Sequence, residues 1–153
     1  MFNEKWDLRF LELSKNISTW SKDPSTKVGT IIVDQDRRII STGYNGFPQK
    51  IEDKEDLYNN RELKYEMILH AEENAIIFSN QKLNDCIIYT YPLSPCSKCT
   101  SKIIQSGITE VVSVFSADPR WKKSLELSSH MLFEADISFR VYKDEKLYYW
   151  NKK

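Results

Sequence analysis

His70 and Glu72 stand two apart in His70-Ala71-Glu72, and Cys96 and Cys99 stand three apart in Pro95-Cys96-Ser97-Lys98-Cys99. Twenty-two residues separate Glu72 from Pro95. Together they offer one imidazole, two thiolates and a carboxylate that need not bind metal. Zinc takes such nitrogen and sulfur donors, and three protein ligands leave its fourth position to water. Zinc can lower the pKa of that water from about 15.7 to about 7, and Glu72 would take up the proton and pass it on. The constellation points to hydrolysis at a metal centre.

C-x-x-C alone fits a redox pair, a structural zinc or chance equally well. A closed zinc knot needs a fourth protein ligand, and Cys86 is the one to test. It begins a strand whose far end leads to Pro95, and five residues at about 3.3 Å each put it about 17 Å from that end. Cys86 therefore reads as a small buried apolar residue. His130, the other histidine, falls in a predicted helix and reads as solvent-facing. The C-x-x-C opens a predicted helix, so both sulfurs face one way, and a helix N-terminus favours the thiolate. His70 and Glu72 open the preceding helix. Two helix N-termini at one sheet edge can place three ligands around a tetrahedral metal.

The elements that must do this placing are legible from periodicity. Trp6, Phe10, Leu13, Ile17 and Trp20 recur at three and four, which predicts an amphipathic helix over about 4–20. Pro24 then disfavours helix at the residue before it. Val28–Val33 and Arg38–Tyr44 flank the polar Asp34–Arg37, which predicts a hairpin. Residues 45–66 are polar and irregular, a length of loop that is usually functional or partly helical. A helix over 70–80, a strand over 87–91, and a helix over 96–105 closed by Gly107 follow. A strand over 111–115, a helix over 119–134 and a strand over 137–142 complete the core, with Tyr148-Tyr149-Trp150 as an aromatic tail. This order predicts one domain over 1–153, its core about 4–142 and its tail 143–153. The sheet would have five strands under helices, a three-layer α/β arrangement.

The 153 residues suffice for one core and not two ordinary domains. Lysine and arginine, 22, balance 22 acidic residues, so the chain lacks the basic excess that nucleic-acid binders use on phosphates. No apolar run reaches the roughly 20 residues of a membrane span, and the first residues do not resemble a signal peptide. Three cysteines, two of them in C-x-x-C, fit metal binding in a reducing compartment. The chain reads as soluble and cytoplasmic, with no nucleic-acid or membrane partner.

H-x-E followed by P-C-x-x-C is the signature shared by zinc-dependent nucleobase deaminases. Beyond it, Ser21-Lys22-Asp23-Pro24-Ser25-Thr26-Lys27-Val28-Gly29 and Gly43-Tyr44-Asn45-Gly46-Phe47-Pro48 closely resemble the deoxycytidylate (dCMP) deaminase family. His70–Ile76, Ser94–Cys99 and Ile103–Ile108 resemble it too, so the likeness spans about 18–142. It implies the cytidine-deaminase α/β/α fold with a five-stranded mixed sheet, and hydrolysis of dCMP to dUMP and ammonia for thymidylate synthesis. It implies one Zn2+ per chain on His70, Cys96 and Cys99, with Glu72 as the proton shuttle. By the same resemblance the Ala71 N–H and a carbonyl near Ser94 fix the pyrimidine edge and Asn45 reaches the sugar. Ser25, Lys27 and Lys22 lie where the family holds the 5′-phosphate; an ordinary solvated turn is the alternative for each. Trp121 stacks on the base or simply packs at a helix start.

Some family members carry a second, structural zinc on extra Cys and His; this chain has Asp23 and Asp53 in those stretches. Members activated by dCTP can use an arginine where this chain has Gln81 and Lys82, so activation by dCTP is expected to be weak or absent; dCTP and dTTP, with Mg2+, are the candidate effectors. The resemblance also implies a homo-oligomer, a hexamer or smaller. Two other readings compete: deamination of another cytidine compound or of a base in RNA, and a silent zinc-stabilised assembly module. The neutral charge and the Ser-Lys-Asp-Pro segment weigh against RNA, and Glu72, which a structural zinc does not need, weighs against the silent module.

Overall fold

A computed structural model describes residues 2–152 of the chain. Helix α1 (Glu4–Ser18) is followed by strands β1 (Gly29–Val33) and β2 (Ile39–Tyr44). Two short helices, α2 (Glu55–Asn59) and α3 (Arg61–Met67), lead into α4 (Ala71–Phe78). Then come β3 (Ile87–Tyr91), α5 (Ser97–Gln105), β4 (Glu110–Val114), a 3₁₀ turn (Pro119–Trp121), α6 (Lys122–Glu134), β5 (Ser138–Lys143) and β6 (Lys146–Trp150). The strands form one mixed sheet in the order β2-β1-β3-β4-β5-β6. β2, β1 and β3 run antiparallel, β3, β4 and β5 parallel, and β5 and β6 antiparallel.

The sheet thus has six strands, not five. The segment expected to be an aromatic tail is β6, registered as Arg140 opposite Trp150 and Val141 opposite Tyr149. The turn that returns it, Asp144-Glu145, has both residues at positive φ, 51° and 61°. That is what a two-residue hairpin turn requires, and it is normally signalled by Asn-Gly or Asp-Gly. The expected helix over 119–134 begins with a 3₁₀ turn, and the long loop holds α2 and α3.

Successive strand residues face opposite sides of a sheet. Ile31, Val33, Ile87, Tyr89 and Val112 accordingly pack under α1 with Phe10 and Leu11. Ile32, Ile88, Val111, Phe139 and Val141 form the opposite core with Ala75, Ile103 and Leu132 of α4, α5 and α6. Cys86 is buried in that second core, as expected. Under α1, the Arg140 Nε and Nη2 groups donate to Asp7 at 2.7 and 3.0 Å, and Nη1 donates to Glu110 at 2.7 Å. The Tyr89 and Tyr142 hydroxyls donate to the same Asp7 carboxylate. This buried charge set ties α1 to β3, β4 and β5.

Gly43 lets α4 lie directly on β2: a Cβ there would collide with the Ala71 carbonyl and the Ala75 backbone. The close approach carries the start of α4, and with it His70 and Glu72, against the sheet.

Candidate active site

His70 is the N-cap of α4 and Cys96 the N-cap of α5. Two parallel-strand crossovers therefore deliver their helix starts to the same end of the sheet. The Glu73 carboxylate accepts the His70 backbone N–H at 3.0 Å and pairs with Lys102 of α5, locking the two helix starts together. The Cys99 N–H points at Cys96 Sγ at 3.5 Å.

His70, Cys96 and Cys99 bring their ligand atoms within 4.8 Å of one another. His70 Nδ1 lies 3.5 Å from Cys96 Sγ and 3.2 Å from Cys99 Sγ. A tetrahedral zinc with ordinary Zn–S and Zn–N bonds separates its sulfur and nitrogen ligands by about 3.5 Å. The donor set fits zinc in type, number and spacing. Hydrogen bonding from Cys99 draws the Cys96 thiol down to about 4 against burial, and Cys96 together with burial pushes the Cys99 thiol up. The hydrogen bond to Cys96 raises His70 above its ordinary value. A ligating set must give up such protons. Among the described residues no fourth ligand joins the cluster; Cys86 lies in the core and His130 is exposed, facing Glu134.

Glu72 points into the same region from the first turn of α4 and is buried, 3% exposed. Burial raises its pKa, opposed by the positive field of His70 and by hydrogen bonds. Its Oε1 accepts the Thr90 hydroxyl at 2.8 Å, and Thr90 in turn accepts the Thr30 hydroxyl at 3.2 Å. A carboxylate next to three metal-ligating atoms, fixed by one oxygen, is placed to move protons.

These groups border a cavity of about 370 Å³. Ser25, Asn45, Ala71 and Trp121, four residues expected at the site, line it with His70, Glu72 and Cys96. Ser94 is buried and does not line this cavity; its hydroxyl lies 2.5 Å from that of Ser113. Lys22 and Lys27 are exposed and outside the lining, and Lys22 pairs with Asp53 at 3.1 Å. The structure does not bring either lysine to the cavity.

Four residues that sequence reasoning passed over, Lys64, Arg61, Tyr65 and Arg120, stand there instead. Lys64 of α3 donates to Asp23 at 2.8 Å, a pair whose side chains are 11% and 4% exposed. Asp23 also accepts the Ser25 N–H and the Asn45 amide. Asn45 uses its amide on the turn, accepting from the Val28 N–H at 2.9 Å and donating to the Thr26 carbonyl at 2.9 Å. Arg61 and Tyr65 of α3 line the cavity from the same helix, as do Arg120 and Trp121 of the 3₁₀ turn. The motif residues were recognisable because their partners are close in sequence. Lys64, Arg61 and Tyr65 come from an irregular stretch with no motif to mark them.

The sequence model of the cytidine and deoxycytidylate deaminase zinc-binding region matches residues 4–115. A protein named an uncharacterized deaminase in the luxG 3′ region of Aliivibrio fischeri is 40% identical over 136 residues, covering 87% of this chain and 90% of that one. A probable deoxycytidylate deaminase of Caenorhabditis elegans is 41% identical over 138 residues, 86% of this chain and 66% of its own. The deoxycytidylate deaminase of Mus musculus is 33% identical over 145 residues, 90% and 80% of the two chains. The fold is that of the cyanophage S-TIM5 dCMP deaminase crystallised with dCMP and dUMP: TM-score 0.74, 21% identity, 93% of this chain and 100% of that one. Motif, ligand geometry and relatives agree, and the chain belongs to the cytidine and deoxycytidylate deaminase zinc-binding family.

Proposed function

We propose that this chain hydrolyses the 4-amino group of dCMP, giving dUMP and ammonia. The observation that carries the reading is Glu72 buried beside the His70–Cys96–Cys99 cluster, on the wall of the cavity. Relatives named deoxycytidylate deaminases, 32–41% identical, give the substrate class.

Zinc held by His70, Cys96 and Cys99 would supply the Lewis acid that makes water a nucleophile near neutral pH. Glu72 carries one proton of the attacking water to the ring nitrogen, then takes the second from the C4 hydroxyl so formed and gives it to the departing amine, leaving the C4 carbonyl and ammonia. Burial favours the protonated carboxyl, which holds the proton between those transfers. Thr90 keeps one carboxylate oxygen fixed while the other works. The Ala71 N–H and a carbonyl near Ser94 take the pyrimidine edge, and Trp121 closes over the base from the cavity wall. Asn45 serves the sugar end by holding the Asp23–Val28 turn in shape, and Ser25 faces the phosphate from that turn.

Exposed Trp20, Ile77 and Phe78 support assembly into a homo-oligomer. Among the described residues no helix is long and apolar enough to cross a membrane. The C-x-x-C cysteines fit metal binding in a reducing compartment, and on that ground we assign the enzyme to the cytoplasm. We assign dCTP and dTTP, with Mg2+, at most a weak effector role, for want of an arginine at Gln81.

Ultraviolet monitoring of dCMP, CMP, deoxycytidine and dCTP tests the reading. The largest kcat/KM is expected for dCMP. Equal or better turnover of deoxycytidine would move the function to nucleosides.

A further inference from the structure

Given that the substrate is a pyrimidine nucleotide, we infer that Arg61 is the residue that recognises its 5′-phosphate and so sets the preference for nucleotide over nucleoside. Arg61, Lys64 and Arg120 are the cationic residues lining the cavity. Lys64 is neutralised by Asp23 at 2.8 Å. Arg120 is held by Asp118, its Nε at 3.0 Å and its Nη2 at 2.6 Å from one carboxylate oxygen. Lys22 and Lys27 lie outside the lining.

Arg61 differs from the other two. Its Nε donates to the Tyr65 hydroxyl at 3.2 Å, and its guanidinium lies 5.6 Å from the centre of the Tyr65 ring. Among the described residues no carboxylate comes within 4.0 Å of it, and its two Nη groups have no protein hydrogen-bond partner. The tyrosine thus anchors the guanidinium through Nε and leaves the outer fork unused. A planar fork with two free N–H₂ groups is the arrangement that binds a phosphate through parallel charge-assisted hydrogen bonds. Arg61 lines the same cavity as His70, Glu72 and Cys96, so a nucleotide bound with its base at Glu72 shares that cavity with the open fork. Arg120, the other arginine on the cavity wall, is engaged by Asp118 through Nε and Nη2.

The test is kcat/KM for dCMP and for deoxycytidine in wild type, Arg61→Gln and Arg61→Lys, each checked for zinc content. Hydrogen bonds to charged groups are strong enough to predict about a 10- to 100-fold loss for dCMP in Arg61→Gln, mostly in KM. Deoxycytidine, which has no phosphate, should lose far less, so the preference for dCMP collapses. Arg61→Lys should fall between, since a lysine restores charge without the fork. A wild type that prefers dCMP, with Arg61→Gln keeping that preference or losing both substrates by the same factor, would overturn the assignment to Arg61 alone. A wild type with no preference for dCMP would overturn the nucleotide reading and the Arg61 assignment with it.

Discussion

Thr90 Oγ1 on β3 donates a 2.8 Å hydrogen bond to Glu72 Oε1 on α4, and neither residue reaches solvent to any extent. The bond links the central sheet to the Glu72 carboxylate. Replacing Thr90 by valine keeps the shape and removes the donor. Hydrogen bonds to charged groups are worth about 1.5–3 kcal/mol, so kcat should fall about 10- to 100-fold with KM for dCMP little changed. Thr90→Ser should recover most of the rate. Steady-state kinetics on the three proteins decides it, and an unaltered kcat in Thr90→Val would show that Glu72 needs no such support.

Zinc content should be one equivalent per chain, because among the described residues only one cluster gathers three ligand atoms. Cys99→Ala removes a buried ligand and should lose the metal and the activity together. Elemental analysis after purification without added metal checks this; two equivalents, or full occupancy in Cys99→Ala, would contradict it.

Lys64→Met should destabilise the fold and loosen the turn at Asp23. Removing one partner of a buried ion pair typically costs about 3–5 kcal/mol, and this pair is almost fully buried. Urea denaturation should show an earlier midpoint. KM for dCMP should rise as well, since Asp23 also holds the Ser25 N–H and the Asn45 amide.

The Glu110–Arg140 contact predicts a pH dependence of stability. Burial pushes the Glu110 carboxyl up, but the Arg140 guanidinium outweighs it and the group ends below its ordinary 4.5. A carboxylate depressed in the folded state gives its full stabilisation above its unfolded pKa. That stabilisation fades as pH falls from about 4.5 through the lower folded value. Glu110→Gln should therefore be less stable than wild type near pH 7, with the gap narrowing below about pH 4.5. Urea midpoints of both proteins across that range measure it, and a gap that widens in acid would be the wrong sign.

The His70–Cys96–Cys99 cluster was legible because its residues fall in two short motifs, H-x-E and C-x-x-C, each at a helix start, where spacing alone predicts direction. The two cores were legible from the period-3.6 pattern of α1 and the β-branched strands. Thr90 was not: one threonine within a strand carries no mark of the carboxylate it faces across 18 residues of chain. β6 escaped because Asp144-Glu145 makes a turn that usually announces itself with glycine or asparagine. Helices α2 and α3, of 5 and 7 residues, are too short for periodicity to register. For Lys22 and Lys27 the residue type suggested phosphate, but the direction in which a turn points its side chains is set by bonds such as those of Asp23 and Asn45, which no spacing rule reveals.

The most direct measurement is dUMP and ammonia release from dCMP by wild type and Glu72→Ala, with zinc assayed in the same samples. Wild type should release both products in equal amounts. Glu72→Ala should keep its zinc, because the carboxylate is not one of the three clustered ligands, while turnover falls by at least about 10²–10⁴-fold. A zinc-loaded Glu72→Ala that turns over dCMP at near the wild-type rate would contradict the account.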